Sequence, residues 1–101
     1  MRIIVMFDLP VETPTNRKEY RRFRKYLIKS GYMMFQESVY CKLVINPRMG
    51  DFVVEDLRRN KPAEGLVSAL KVTEKQFSKI EYIAGELKKD VLDTDERVTF
   101  L

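Results

Sequence analysis

Hydrophobic and polar positions change period several times along the 101-residue chain, and each change marks an element. Residues 3–7, Ile-Ile-Val-Met-Phe, form an unbroken apolar run. It is far shorter than the ~20 residues that cross a bilayer. Such a run fits a strand buried on both faces, near the middle of a sheet. Asp8-Leu9-Pro10 follows, and Pro10 ends any ladder because it has no N–H to donate. The period then becomes helical from about residue 14 to 30. Thr13 is placed to cap this helix, Pro14 to open it, and Gly31 to end it in the left-handed conformation. At about 100° per residue, Tyr20, Phe23, Tyr26 and Leu27 share one face. Lys18, Arg21, Arg22, Lys25 and Lys29 share the opposite face, with Arg17 and Arg24 at the border.

Residues 32–45 are rich in β-branched and aromatic side chains and are too long for one ordinary strand. The polar Gln36-Glu37-Ser38 interruption divides them into two. In the second half, Val39, Cys41 and Leu43 alternate with Tyr40, Lys42 and Val44, which suits a sheet covered on one face. Asn46-Pro47 repeats the cap-plus-proline signal of a helix start, and Asp51 is read as complementing the helix dipole from its first turn. Met49, Phe52, Val53 and Leu57 form the expected apolar face of this second helix. Asp56 falls inside that stripe, at its rim or against an arginine. Arg58, Arg59 and Lys61 gather at the helix end, and Pro62 stops it. Residues 66–72 read as a strand. Thr73 to Phe77 reads as one helical turn, with Thr73 and Gln76 forming a capping box. Residues 80–84 alternate as a short amphipathic strand, and 86–96 form a polar, mostly acidic loop. Residues 97–101 form an apolar terminal strand that needs a pairing partner, most simply a second copy of the chain.

The order strand, helix, strand, strand, helix, strand is the split βαβ arrangement. The expected fold class is therefore α+β: a ferredoxin-like βαββαβ unit with two helices on one face of an antiparallel sheet and extra C-terminal strands. One domain covers residues 1–101, with a core of about 1–73 and an extension, 74–101, that crosses to the partner in a homodimer with C-terminal strand exchange. Val98, Phe100 and Leu101 are the expected dimer-interface residues.

Composition then narrows the chemistry. Histidine is absent, so no Ser-His-Asp or Cys-His pair and no histidine-bound zinc can form. Cys41 is the one cysteine, which excludes an intramolecular disulfide and reads as a small core residue. The balance of 19 Lys+Arg against 15 Asp+Glu, net +4, leans towards a polyanionic partner. The positive charge is densest on the first helix, where only Glu19 opposes it. No signal-peptide pattern or membrane-length run occurs, so the expected location is cytoplasmic, with no membrane partner.

Two features carry candidate chemistry. Asp8, at the mouth of a central strand, is either a plain turn acid or a ligand for metal in a phosphate-handling site. The basic helix face, with Arg17, Lys18, Arg21, Arg22, Arg24 and Lys25, is either a solvated surface or a row of phosphate contacts that would position duplex DNA without reading its sequence. A third reading, a single-stranded RNA-binding module of the same fold, would stack bases on Tyr40 and Tyr82. The Lys/Arg-Gly-Phe/Tyr-Gly motif of such modules is absent. A toxin-like ribonuclease is a further alternative.

Five stretches in order resemble one family. They are Phe7-Asp8-Leu9-Pro10; Arg17 with Tyr20-Arg21-Arg22-Phe23-Arg24-Lys25-Tyr26-Leu27; Gln36-Glu37-Ser38-Val39-Tyr40; Val72-Thr73-Glu74-Lys75-Gln76-Phe77; and Glu96-Arg97-Val98-Thr99-Phe100-Leu101. The family is the CRISPR-associated Cas-two (Cas2) family, closest in flavour to members from systems with a single large RNA-guided effector. The resemblance implies a ferredoxin-like homodimer that bridges two dimers of the Cas-one (Cas1) integrase and lies along the pre-spacer DNA during spacer acquisition. It also implies, for many members, a metal-dependent endonuclease activity on RNA or DNA, with Asp8 as catalytic residue and magnesium ligand. The expected function is the DNA-binding bridge. The alternative is a magnesium-dependent endonuclease that pairs two Asp8 carboxylates across the dimer.

Overall fold

The computed structural model describes residues 1–86. In chain order the elements are β1 (Arg2–Asp8), α1 (Pro14–Lys29), β2 (Met33–Gln36), β3 (Val39–Leu43), α2 (Pro47–Arg59), β4 (Leu66–Val72) and the single turn α3 (Glu74–Phe77). The four strands form one antiparallel sheet in the order β2-β3-β1-β4, with β1 central. The architecture is α+β and ferredoxin-like.

Local chemistry sets the element ends. Thr13 accepts from the Asn16 amide while the Asn16 side chain accepts from the Thr13 amide, a reciprocal cap on α1. Gly31 leaves α1 at φ +94°. Asn46 caps α2 through the Met49 amide, and Thr73 with Gln76 makes the expected capping box on α3. The β2–β3 hairpin turns over Glu37 and Ser38, where Ser38 takes φ +63°.

Side chains alternate across β1, and the two faces have different fates. Ile3, Val5 and Phe7 lie beneath the helices with Phe23 and Leu27 of α1, Leu57 of α2 and Tyr40 of β3. Burying each of these large side chains contributes roughly 1.5–3 kcal/mol. Phe7 anchors an aromatic group, edge-on to Phe23 at 5.3 Å and stacked on Tyr40 at 5.7 Å. Among the described residues the opposite face is covered at one end alone. There α3 places Phe77 over Cys41, with Ile4, Met33, Phe35, Val72 and Ile80 around them. Further along, Met6, Leu66 and Leu70 are exposed, as is Leu43 beside Arg2. Residues 3–7 are thus buried on one face, and the expectation of burial on both is corrected. Nothing among the described residues covers the Met6 end.

Three further expectations are corrected. The second helix turns Gly50, Val53, Val54 and Leu57 inward, whereas Met49 is 44% and Phe52 60% exposed. Gly50 faces Ile3, where an added β-carbon would make an ordinary contact at 3.4 Å, and Val53, Val54 and Leu57 carry the apolar contacts of the helix. Asp51 lies beyond the first turn of α2 and pairs across with Lys71 of β4 rather than with the helix end. Residues 80–84 form no strand: Ile80 turns into the Phe77 cluster, Tyr82 rests 6.2 Å from the Phe35 ring, and Ile83 is 91% exposed. Most of the expected 86–96 loop, the 97–101 strand, and Val98, Phe100 and Leu101 lie outside the described residues.

Candidate nucleic-acid interface and acidic strand mouth

The basic residues of α1 divide into two groups. Three are engaged within the chain. Arg17 donates from Nη1 to the carbonyls of Val11 and Glu12, at 3.0 and 3.2 Å, bracing the loop that enters the helix. Arg22 grips Glu19 through Nε and Nη2 at 3.0 and 3.2 Å, and reaches the carbonyls of Asn60 and Lys61 at 3.2 and 3.3 Å. It therefore clamps α1 to the end of α2. The Glu19 carboxyl also accepts from the Ala63 amide at 3.3 Å. The hydrogen bond from Arg22 is the main cause that holds Glu19 below its usual carboxylate value. Arg24 donates to the hydroxyl of buried Tyr40 at 2.9 Å, and this bond raises the guanidinium above its ordinary value.

The second group points outward. Lys18, Arg21, Lys25 and Lys29 are exposed and hold no hydrogen bond or ion pair among the described residues. With a rise of 1.5 Å per residue they form a stripe roughly 16 Å long. Elsewhere some of the cations are paired and others, such as Arg48, Lys61, Lys75 and Lys79, hold no ion pair among the described residues. Arg58 pairs with Glu55 at 3.0 Å, Arg59 with Asp56 at 3.4 Å, and Lys71 with Asp51. Among the described residues, α1 carries the densest row of cations without an anionic partner, the kind of surface that attracts polyanions.

Asp8 ends β1 on the same face as Ile4 and Met6, opposite Leu66 of β4. It is exposed, and its carboxylate holds no hydrogen bond or ion pair among the described residues. Its backbone is tightly fixed. Gly65, at φ +100°, passes so close that a β-carbon there would lie 2.7 Å from the Asp8 carbonyl oxygen and 2.7 Å from Leu9 Cδ2. On the other side the Phe7 amide donates to the Ser38 carbonyl at 3.1 Å. Among the described residues there is no group of three or more metal-ligating side chains. Magnesium prefers six oxygens in octahedral array, and one exposed carboxylate supplies a single one of them. The described residues of one chain do not by themselves make a magnesium site.

The remaining sequence candidates fall into place. Tyr40 is 1% exposed beneath α1 and cannot stack a base, which removes half of the RNA-module reading. Cys41 is buried, and burial pushes its thiol above the ordinary value, as expected for a core residue. Asp56 accepts from the Tyr26 hydroxyl at 2.5 Å as well as from Arg59. Sequence reasoning missed Arg2, which is 3% exposed and bound to Glu74. The signal available was a cation opening an apolar strand. No helix among the described residues is long and apolar enough to cross a membrane.

A family model described as CRISPR associated protein Cas2 matches residues 1–80. A CRISPR-associated endoribonuclease Cas2 of Treponema denticola is 58% identical over 101 residues, covering the whole of both chains. A protein of the same name from Streptococcus mutans is 43% identical, covering 100% of this chain and 93% of its own. The crystal structure of Streptococcus pyogenes Cas2 at pH 6.5 superposes with a TM-score of 0.61 at 21% identity, covering 83% of this chain and 100% of that one. This last likeness bears on the fold.

Proposed function

The chain belongs to the CRISPR-associated Cas2 family, and on that premise we propose that it is the duplex-binding bridge of a spacer-acquisition complex. In this reading it acts in the cytoplasm as a homodimer between two dimers of the Cas1 integrase. The observation that carries the reading is the outward stripe of Lys18, Arg21, Lys25 and Lys29, without ion pairs among the described residues while Arg17, Arg22 and Arg24 are spent on the fold. Phosphate contacts of this kind position a duplex of any sequence, which suits a protein that must accept arbitrary fragments. The open sheet face with Met6, Leu43, Leu66 and Leu70 supports pairing with a second copy, because exposed apolar patches mark interaction surfaces. The outer edge of β4, at the end of the strand order, has no strand partner among the described residues and so suits an exchanged strand.

Titration of duplex binding against salt tests the proposal. The affinity is expected to fall steeply with salt, and Arg21→Glu with Lys25→Glu is expected to weaken it and flatten the slope. A nearly flat dependence in the wild type would overturn the reading.

A second reading is favoured by the names of the relatives, which are endoribonucleases. Asp8 lies on the open face, so pairing through that face would bring two carboxylates towards one axis. Asp8→Ala is then expected to abolish metal-dependent cleavage of RNA without disturbing the homodimer. Cleavage that survives the change would remove Asp8 from the catalytic role.

A further inference from the structure

Arg2 is a charged side chain that is 3% exposed, and its ion pair and ring contact hold one turn of helix on a face of the sheet that is otherwise open among the described residues. Its Nε donates to both Glu74 carboxylate oxygens, at 3.0 and 3.2 Å. The guanidinium carbon sits 4.1 Å from the centroid of the Phe77 ring, and Nη1 donates weakly to Cys41 Sγ at 3.9 Å. The chain's amino terminus adds a longer contact to Glu74 at 3.8 Å. α3 is four residues long, too short to be stable without such docking. Its cover is also lopsided: Phe77 is buried, while Glu74, the anionic half of the ion pair, is 48% exposed and open to competition from water and salt.

We propose that α3 is a latch, closed by the Arg2–Glu74 ion pair and the Phe77 seal, that opens locally while the sheet stays folded. In the closed form Cys41 and Ile4 lie under Phe77, between exposed Leu43 opposite Arg2 on one side and exposed Met6 and Leu70 on the other. In the open form Cys41, Ile4 and Val72 join Leu43, Met6 and Leu70, so the exposed apolar patches on this face become one continuous surface. The latch thereby sets how much of the sheet is offered to a second copy. That consequence rests on the pairing proposed above, whereas the latch itself does not. Local opening of this kind is drawn from segments with few buried contacts, and α3 has one buried side chain.

Cys41, the one cysteine of the chain, reports the opening. The experiment follows its modification by an aromatic disulfide reagent in the full chain, in wild type and Glu74→Gln, across sub-denaturing urea. A charge-assisted pair of this type shifts an opening equilibrium on the order of tenfold. The expected result is a rate about tenfold higher in Glu74→Gln, with a shallow urea dependence in both proteins because little surface is exposed on opening. Equal rates in the two proteins would overturn the latch. A urea dependence in the wild type as steep as that of global unfolding would also overturn it, and this needs no variant. Sedimentation of the same samples reads pairing separately. A chain that labels as expected but never associates would keep the latch and remove the second copy.

Discussion

The hydroxyl of Tyr26 on α1 donates to the carboxylate of Asp56 on α2 at 2.5 Å, so the acid lying within the second helix's apolar stripe ties the two helices together. Asp56 is further held by Arg59 at 3.4 Å, and its backbone carbonyl accepts from the Asn60 side chain at 2.8 Å. Helix packing over the sheet therefore has a polar fastening beside the apolar one.

That fastening predicts an alkaline limb. Burial, together with the bond to Asp56, pushes the Tyr26 hydroxyl from 10.0 up to about 12. A raised folded value means the stabilisation is complete below pH 10 and is lost as pH rises towards 12. Tyr32 is raised too, chiefly by burial, so both contribute. Urea melts from about pH 9 to about pH 12.5 are expected to show falling stability in the wild type and a flatter limb in Tyr26→Phe.

The Glu19–Arg22 clamp predicts the opposite limb. The folded carboxyl lies below its usual value, so its stabilisation is present above that value and lost as pH falls through the folded one. Glu19→Gln is expected to lessen the acid sensitivity of the melting temperature, read by circular dichroism from about pH 6 down to about pH 3.

Gly65 predicts a sharp contrast with Gly50. A β-carbon at Gly65 meets the Asp8 carbonyl and Leu9, and the positive φ adds strain, so Gly65→Ala is expected to cost about 2–3 kcal/mol. At Gly50 a β-carbon meets Ile3 Cδ1 at 3.4 Å, and the helical setting favours alanine, so Gly50→Ala is expected to stay within about 1 kcal/mol of wild type. Equilibrium urea unfolding of the two variants checks both.

The division of the α1 cations predicts separable phenotypes. Lys18→Glu, Arg21→Glu and Lys25→Glu are each expected to leave stability within about 0.5 kcal/mol. Each is expected to weaken duplex binding and to lower the salt slope by about one for every phosphate left without its cation. Arg22→Glu is expected to destabilise the fold itself, because it turns the clamp on Glu19 into repulsion. Paired melts and salt titrations distinguish the two classes.

Much of this could be read from the chain. Thr13, Asn46 and Thr73 announce the helix starts, Gly31 ends the first helix, and the Glu37-Ser38 turn splits the hairpin, because caps and turns are local chemistry. The central place of residues 3–7 was legible from their unbroken run. Their one-sided burial was not, since a run gives no sign of which face lacks a cover. Met49 and Phe52 misled because helical spacing alone also admits the neighbouring face, on which Val54 rather than Met49 and Phe52 joins Val53 and Leu57 in the core. Ile80 and Tyr82 alternate like a strand yet dock onto Phe77 and Phe35 individually. At the candidate site, the charge of α1 was plain in the sequence. The use of Arg17, Arg22 and Arg24 within the fold was not, because their acceptors include main-chain carbonyls distant in sequence.

The central claim, that the chain serves integration as a duplex-binding bridge, is tested most directly by half-site integration of a DNA duplex with purified Cas1. The chain is compared as wild type, as Asp8→Ala, and as the combined Lys18→Glu, Arg21→Glu, Lys25→Glu variant. Full integration by Asp8→Ala and a loss of roughly tenfold or more in the charge-reversed variant is the predicted result. Loss of integration in Asp8→Ala with homodimers and duplex binding intact, or full integration by the charge-reversed variant, would contradict it.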